Sequence, residues 1–154
     1  MKKVYLVTGC IGSGKSTYVK EKAGENDIIF DLDEINKAMG GKIHEGAEKR
    51  LPILLAMRKA AFEEIAKRSG EWENAYIITS SSDRTKVGRM LETLKAEEVS
   101  MEASLEECKQ RILNDESRPD KDIQIQLAED WFNTKSEQPK QFRDKFAEWF
   151  DNTF

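Results

Sequence analysis

The residues Gly9-Cys10-Ile11-Gly12-Ser13-Gly14-Lys15-Ser16 carry the most legible chemistry in this chain. They match Gly-x-x-x-x-Gly-Lys-Ser in full, a spacing whose glycines let backbone N–H groups turn inward around phosphate oxygens. The lysine of such a loop reaches the outer phosphates of a nucleoside triphosphate, and the hydroxyl after it holds Mg²⁺. Gly9, Gly12, Ser13, Gly14, Lys15, Ser16 and Thr17 are therefore the candidate nucleotide-binding residues. ATP with Mg²⁺ is the expected cofactor pair, with Ser16 as a metal ligand. Cys10, inside the loop, reads as filling a tolerant position beside a strand.

A phosphate site needs further groups before it can transfer anything. Asp31-Leu32-Asp33 follows a short apolar run, where a strand of a parallel sheet would deliver it to the ligand crevice. Phosphoryl transfer to a hydroxyl uses a carboxylate that orients the acceptor and takes its proton. Asp33 is the candidate for that role, and it also reads as the N-cap of the next helix. Asp31 is a further metal-side candidate. Arg111 and Arg118, with Lys121 behind them, are the cations placed to close over developing charge and exclude water. Arg118 falls in Asn114 to Lys121, whose residue types are those of a loop, and we take about 114–121 as a lid. After the third apolar run, serines stand at 80 and 81, and Ser82-Asp83 read as a helix cap.

The elements that must position these groups follow from periodicity. Lys3–Thr8, Asp27–Asp31 and Ala75–Thr79 read as buried strands, and Glu98–Ala103 as a weaker fourth. Helical patterns run over Lys15–Ala23, from Asp33 to near Gly40, from about Arg50 to Gly70, and over Asp83–Lys95. Pro52 is tolerated only in a first turn, which sets the start of the long helix. Its stripe is Leu51, Leu54, Leu55, Ala61, Phe62 and Ile65, while Arg58, Lys59, Lys67 and Arg68 fall on the polar face as solvated cations. Ser104 with Glu107 makes a capping box for a helix to about Leu113. Two more helices are expected over Asp122–Lys135 and about 139–152. The last carries Phe142, Phe146, Trp149 and Phe150 on one face, read as docking on the sheet. Strands alternating with helices predict an α/β fold: a doubly wound parallel sheet of four or five strands, as in P-loop NTPases of the nucleotide-kinase type.

With these pieces together, the chain resembles the 5′-kinase domain of bacteriophage polynucleotide kinases and allied small phage P-loop kinases. The likeness rests on Met1 to Thr17, on Asp33 and on the arginines, and covers roughly residues 1–135. It implies that Asp33 activates a 5′-hydroxyl and that Arg111 and Arg118 contact the nucleotide phosphates. The serines at 80 and 81 depart from the acid-bearing pattern that the family tends to show there.

Length and charge bound the rest. The chain has 154 residues, the size of a single domain, and we expect one kinase domain over 1–154. Its 25 Lys and Arg against 29 Asp and Glu give a net charge of −4, which argues against coating a polyanion along the surface. Any nucleic acid is expected to enter by its 5′ end. No apolar run reaches membrane-span length, and the N-terminus lacks a signal-peptide core. Cys10 and Cys108 lack metal-type spacing and sit in unlike sequence contexts, so neither a zinc site nor a disulfide framework is expected, and the cytoplasm is the expected setting. The function expected is ATP-dependent transfer of a γ-phosphoryl group to a hydroxyl, first of a polynucleotide 5′ end. A nucleoside or small-molecule kinase, or an accessory ATPase or nucleotide switch, are the alternatives.

Overall fold

The computed structural model describes residues 1–42 and 47–134. The aromatic segment about 139–152 lies outside the described residues. The chain runs β1 (Lys3–Thr8), α1 (Lys15–Lys22), β2 (Ile28–Phe30), α2 (Leu32–Ala38) and, after a 3-10 turn at Ala47–Lys49, α3 (Leu51–Ala66). It continues with β3 (Asn74–Thr79), α4 (Arg84–Leu94), β4 (Glu97–Ser100), α5 (Leu105–Asn114) and α6 (Lys121–Thr134).

The four strands form one parallel sheet in the order β2-β3-β1-β4, at the lower end of the expected count. β1 is central, with Thr8 beside Thr79 of β3 and beside Ser100 of β4. Parallel pairing requires crossovers, and the intervening helices supply them while covering the sheet faces. On one face Val4, Leu6, Phe30, Ala75 and Ile77 pack against Phe62 and Ile65 of α3 and Val87, Met90 and Leu94 of α4. On the other, Val7 and Tyr76 pack against Val19 of α1, and Tyr5 stacks on Tyr76 with ring centroids 5.2 Å apart.

A third cluster joins the loop after β1 to the α5–α6 hairpin: Cys10, Cys108, Ile112, Ala128 and Trp131 are all buried in it. The expected caps at Asp83 and Ser104 are present: Asp83 accepts from Thr85 N and Lys86 N, and Ser104 from Glu107 N. Three features differ from expectation: the α2 cap, Arg58 and Arg68. The N-cap of α2 is Asp31 rather than Asp33. Arg58 is buried, its guanidinium 5.7 Å from the Phe62 ring centroid, where its amphipathic stem and cation–π contact replace the solvation expected of a polar-face arginine. Lys59 and Lys67 are exposed as expected. Arg68 is half-buried and donates to the carbonyls of Ile65, Leu94 and Lys95.

Candidate active site

The site opens where β1 ends. Gly9 to Gly14 wrap from the strand into α1, and Gly14 is the helix N-cap with no side-chain capping bond. The first amides of α1 therefore have no partner within the helix, and they carry the positive end of its dipole. Gly12 and Gly14 take φ of +74° and +92°, values that side chains rarely adopt. A Cβ at Gly12 would lie 2.8 Å from the Cys108 carbonyl oxygen, and one at Gly14 3.1 Å from Arg111 Nη1. The glycines therefore admit α5 against the loop.

Lys15 is buried, and its ammonium donates to the carbonyls of Gly9 (2.8 Å) and Cys10 (2.7 Å). Burial pushes its pKa down to about 8, and the nearby Arg118 charge acts in the same direction. Cys10, Cys108 and Asp31 oppose that shift. Ser13 Oγ is buried and has no hydrogen-bond partner among the described residues. A buried hydroxyl without a partner among the described residues, a lysine folded onto its own loop and glycines that keep the loop clear of side chains together fit a phosphate group.

The acids gather on the other side of Ser16. Ser16 Oγ donates to Asp31 Oδ2 at 3.4 Å, while Asp31 Oδ1 accepts from Asp33 N at 3.0 Å. Asp31 caps because it leaves β2 in an extended conformation and its own carbonyl already takes the first helical bond, from Ile35 N. Asp33 sits half-buried in the first turn of α2. Thr17 is exposed on α1. A hydroxyl and a carboxylate side by side are hard oxygen donors suited to Mg²⁺, which keeps several water and phosphate ligands of its own. No group of three or more His, Cys, Asp or Glu that could cage a metal occurs among the described residues.

Both candidate arginines approach the loop. Arg111 Nη1 donates to the Gly12 carbonyl at 3.3 Å. Arg118 lies in the connection 115–120, largely buried, pairing with Asp115 (3.2 Å) and Gln124 (3.1 Å), and its charge is felt at Lys15. Lys121 instead donates to the carbonyls of Ile112 and Asp115 at the end of α5, a structural role. Ser81 Oγ accepts from Asp83 N, within the capping turn of α4.

Two features escaped the sequence reading. Glu98 accepts from Thr8 Oγ1 at 2.9 Å and from both Arg84 Nη atoms at 2.7 Å, bracing the strand end that enters the loop. Cys10 and Cys108, far apart in sequence, meet behind the loop. Both depend on which strands and helices become neighbours, and no local pattern signals either.

No family model matches the chain, and neither does any curated protein sequence. Solved structures do. A chain of the Pnkp1/Rnl/Hen1 RNA repair complex superposes with a TM-score of 0.67 at 17% identity, over 90% of this chain and 46% of that one. The shikimate kinase of Bacteroides thetaiotaomicron gives 0.60 at 18% identity, over 87% and 80% of the two chains. That of Acinetobacter baumannii, in complex with shikimate, gives 0.57 at 18% over 99% and 80%. The fold is that of the P-loop kinases. Within that fold, the loop of residues 9–16 stands at the carboxyl end of the central strand, where parallel sheets place their ligands. The chain spans less than half the length of the RNA repair chain it matches and most of the length of the shikimate kinases.

Proposed function

We propose that this chain is an ATP-dependent P-loop kinase domain that transfers the γ-phosphoryl group to the 5′-hydroxyl of a polynucleotide. The observation that carries the reading is the convergence on one loop of Lys15, Arg111 and Arg118, with the Asp31–Asp33 pair at Ser16. On binding triphosphate, the Lys15 ammonium exchanges the carbonyls of Gly9 and Cys10 for the outer phosphates, and the loop amides take the remaining oxygens. Ser16 Oγ and Asp31 would hold Mg²⁺, which neutralises charge on the transferring group. Asp33 orients the acceptor hydroxyl and removes its proton. The acceptor oxygen bonds to the γ-phosphorus, the bond from that phosphorus to the bridging oxygen breaks, and ADP leaves. Arg111, released from the Gly12 carbonyl, and Arg118 balance the charge that spreads over the phosphates.

The fold likeness to the shikimate kinases, one of them solved in complex with shikimate, supports a second acceptor class, a small alcohol. An accessory ATPase that hydrolyses or merely binds nucleotide is the remaining alternative.

One screen separates these readings: ADP release measured with 5′-hydroxyl oligonucleotides, with nucleosides and small alcohols, and with no acceptor. The oligonucleotide should raise turnover strongly, and turnover indifferent to every acceptor would sink the kinase. Asp33→Asn should lower kcat with the oligonucleotide at least about 100-fold while ATP affinity holds. An Asp33→Asn protein as fast as wild type would remove Asp33 as the base.

A further inference from the structure

We propose that Cys10 and Cys108 are a reversible redox pair: a hydroperoxide joins them in a disulfide that ties the phosphate loop to α5 and weakens nucleotide binding, and a dithiol restores it. The proposal rests on reading residues 9–16 as the phosphate cradle.

Three observations support it. The two thiols lie in one buried cluster with Ile112, Ala128 and Trp131 although no sequence pattern pairs them, and neither is in a disulfide. Cys10 Sγ also lies 3.8 Å from the Ala128 carbonyl, so this side chain is the point where α5, α6 and the loop meet. The surroundings then couple the pair to the site at two places. The Cys10 carbonyl accepts one of the Lys15 ammonium bonds, and the Cys108 main chain backs Gly12, whose carbonyl holds Arg111.

The chemistry balances with one hydroperoxide. The Cys10 thiol, beside the Lys15 ammonium, gives up its proton and its sulfur attacks the peroxide oxygen, so an S–O bond forms as the O–O bond breaks. For hydrogen peroxide the first water leaves. The Cys108 sulfur then attacks the sulfenic sulfur, an S–S bond forms, the S–O bond breaks and the second water leaves. Two thiols are oxidised by two electrons in all, and the peroxide is reduced. An S–S bond of about 2.05 Å is far shorter than any non-covalent sulfur contact, so closing it draws Cys10 toward α5. That displaces the carbonyl that positions Lys15 and pins Arg111 over Gly12, away from incoming phosphates. Because both sulfurs are buried, the peroxide reaches them only as α5 and the loop part.

The test begins with the fully reduced wild-type protein, whose ATP·Mg²⁺ affinity is measured by calorimetry. It is then treated with hydrogen peroxide, mapped by non-reducing peptide mass spectrometry, retitrated with ATP, reduced with dithiothreitol and titrated again. The proposal expects a cross-linked Cys10–Cys108 peptide, an ATP affinity at least tenfold weaker, and recovery on reduction. Cys108→Ala, still reduced, should bind ATP as wild type does and lose the reversible response. A missing cross-link, or a cross-link with ATP affinity unchanged, overturns the proposal. So does a Cys108→Ala protein that responds to peroxide and recovers as wild type does. The wild-type cycle decides the matter without the variant, should the variant fold poorly. A reduced protein that binds no ATP would overturn the cradle reading itself, and with it the control of binding, while the mapping would still report the cross-link separately.

Discussion

Lys15 shows how burial sets the working range of a single group. Its folded-state pKa of about 8 lies below the ordinary 10.5, because an ammonium with little water around it favours its neutral form. Two pH effects of opposite sign follow. Between about pH 8 and 10.5 the unfolded chain carries a proton at this lysine that the folded chain has lost, so stability of the unliganded protein rises with pH across that window. The charged lysine costs the fold about 3 kcal/mol below it. Triphosphate needs the ammonium, so ATP affinity should be flat below pH 8 and fall up to tenfold per pH unit above it, with proton uptake on binding. Calorimetry at pH 8.5 in buffers of different ionisation heats measures that uptake. Lys15→Met should abolish both slopes and lower turnover at least about 100-fold; identical pH profiles for wild type and variant would refute the assignment. Asp31 separates from Asp33 at the same scale. Asp31→Asn keeps an oxygen to cap α2 and removes a charge beside Ser16, so it should raise the Mg²⁺ needed for half-maximal turnover several-fold while the thermal midpoint holds.

Among the elements, α5 packs closely on the loop because Gly12 leaves room for it. At Gly12 a methyl group would press on the Cys108 carbonyl oxygen at 2.8 Å and on Ile112 Cγ1 at 3.1 Å, on a backbone with φ of +74°. Gly12→Ala should therefore destabilise the protein by more than about 1 kcal/mol and weaken ATP binding together, read by denaturant midpoint and by titration. Asp83 is the contrasting case. It follows the serine-bearing end of β3, where an acid invites a catalytic reading, yet its carboxylate accepts from Thr85 N and Lys86 N as a helix cap. Asp83→Ala should cost about 1 kcal/mol in urea denaturation and leave the KM for ATP unchanged; a loss of ATP affinity at unchanged stability would show the cap reading to be incomplete.

For the molecule as a whole, the net charge of −4 constrains how a polynucleotide would be held. Lys15, Arg111 and Arg118 provide local positive charge at the loop, against an acidic chain overall. The KM for an oligonucleotide should then rise only modestly with salt, with a log–log slope of about 3 or less, and should not change once the strand is longer than a few nucleotides. A slope that steepens with strand length would instead mean a basic path along the surface.

The loop, its preceding strand and following helix, the caps at Asp83 and Ser104, and most of the apolar stripe of α3 were determined by the sequence by itself. Each depends on residues close together in the chain, where glycine φ, hydroxyl caps and helical periodicity act locally. Tertiary structure decided the rest, because the deciding contacts join distant segments. Asp31 rather than Asp33 became the cap because of where β2 ends in the sheet. Glu98 came to brace Thr8 through the parallel register of β1 with β4. Arg58 turned inward over Phe62, where a helical period alone assigns it to water. Cys10 and Cys108, unrelated by spacing, met because the α5–α6 hairpin packs behind the phosphate loop, and nothing short of that packing brings two thiols so distant in the chain together.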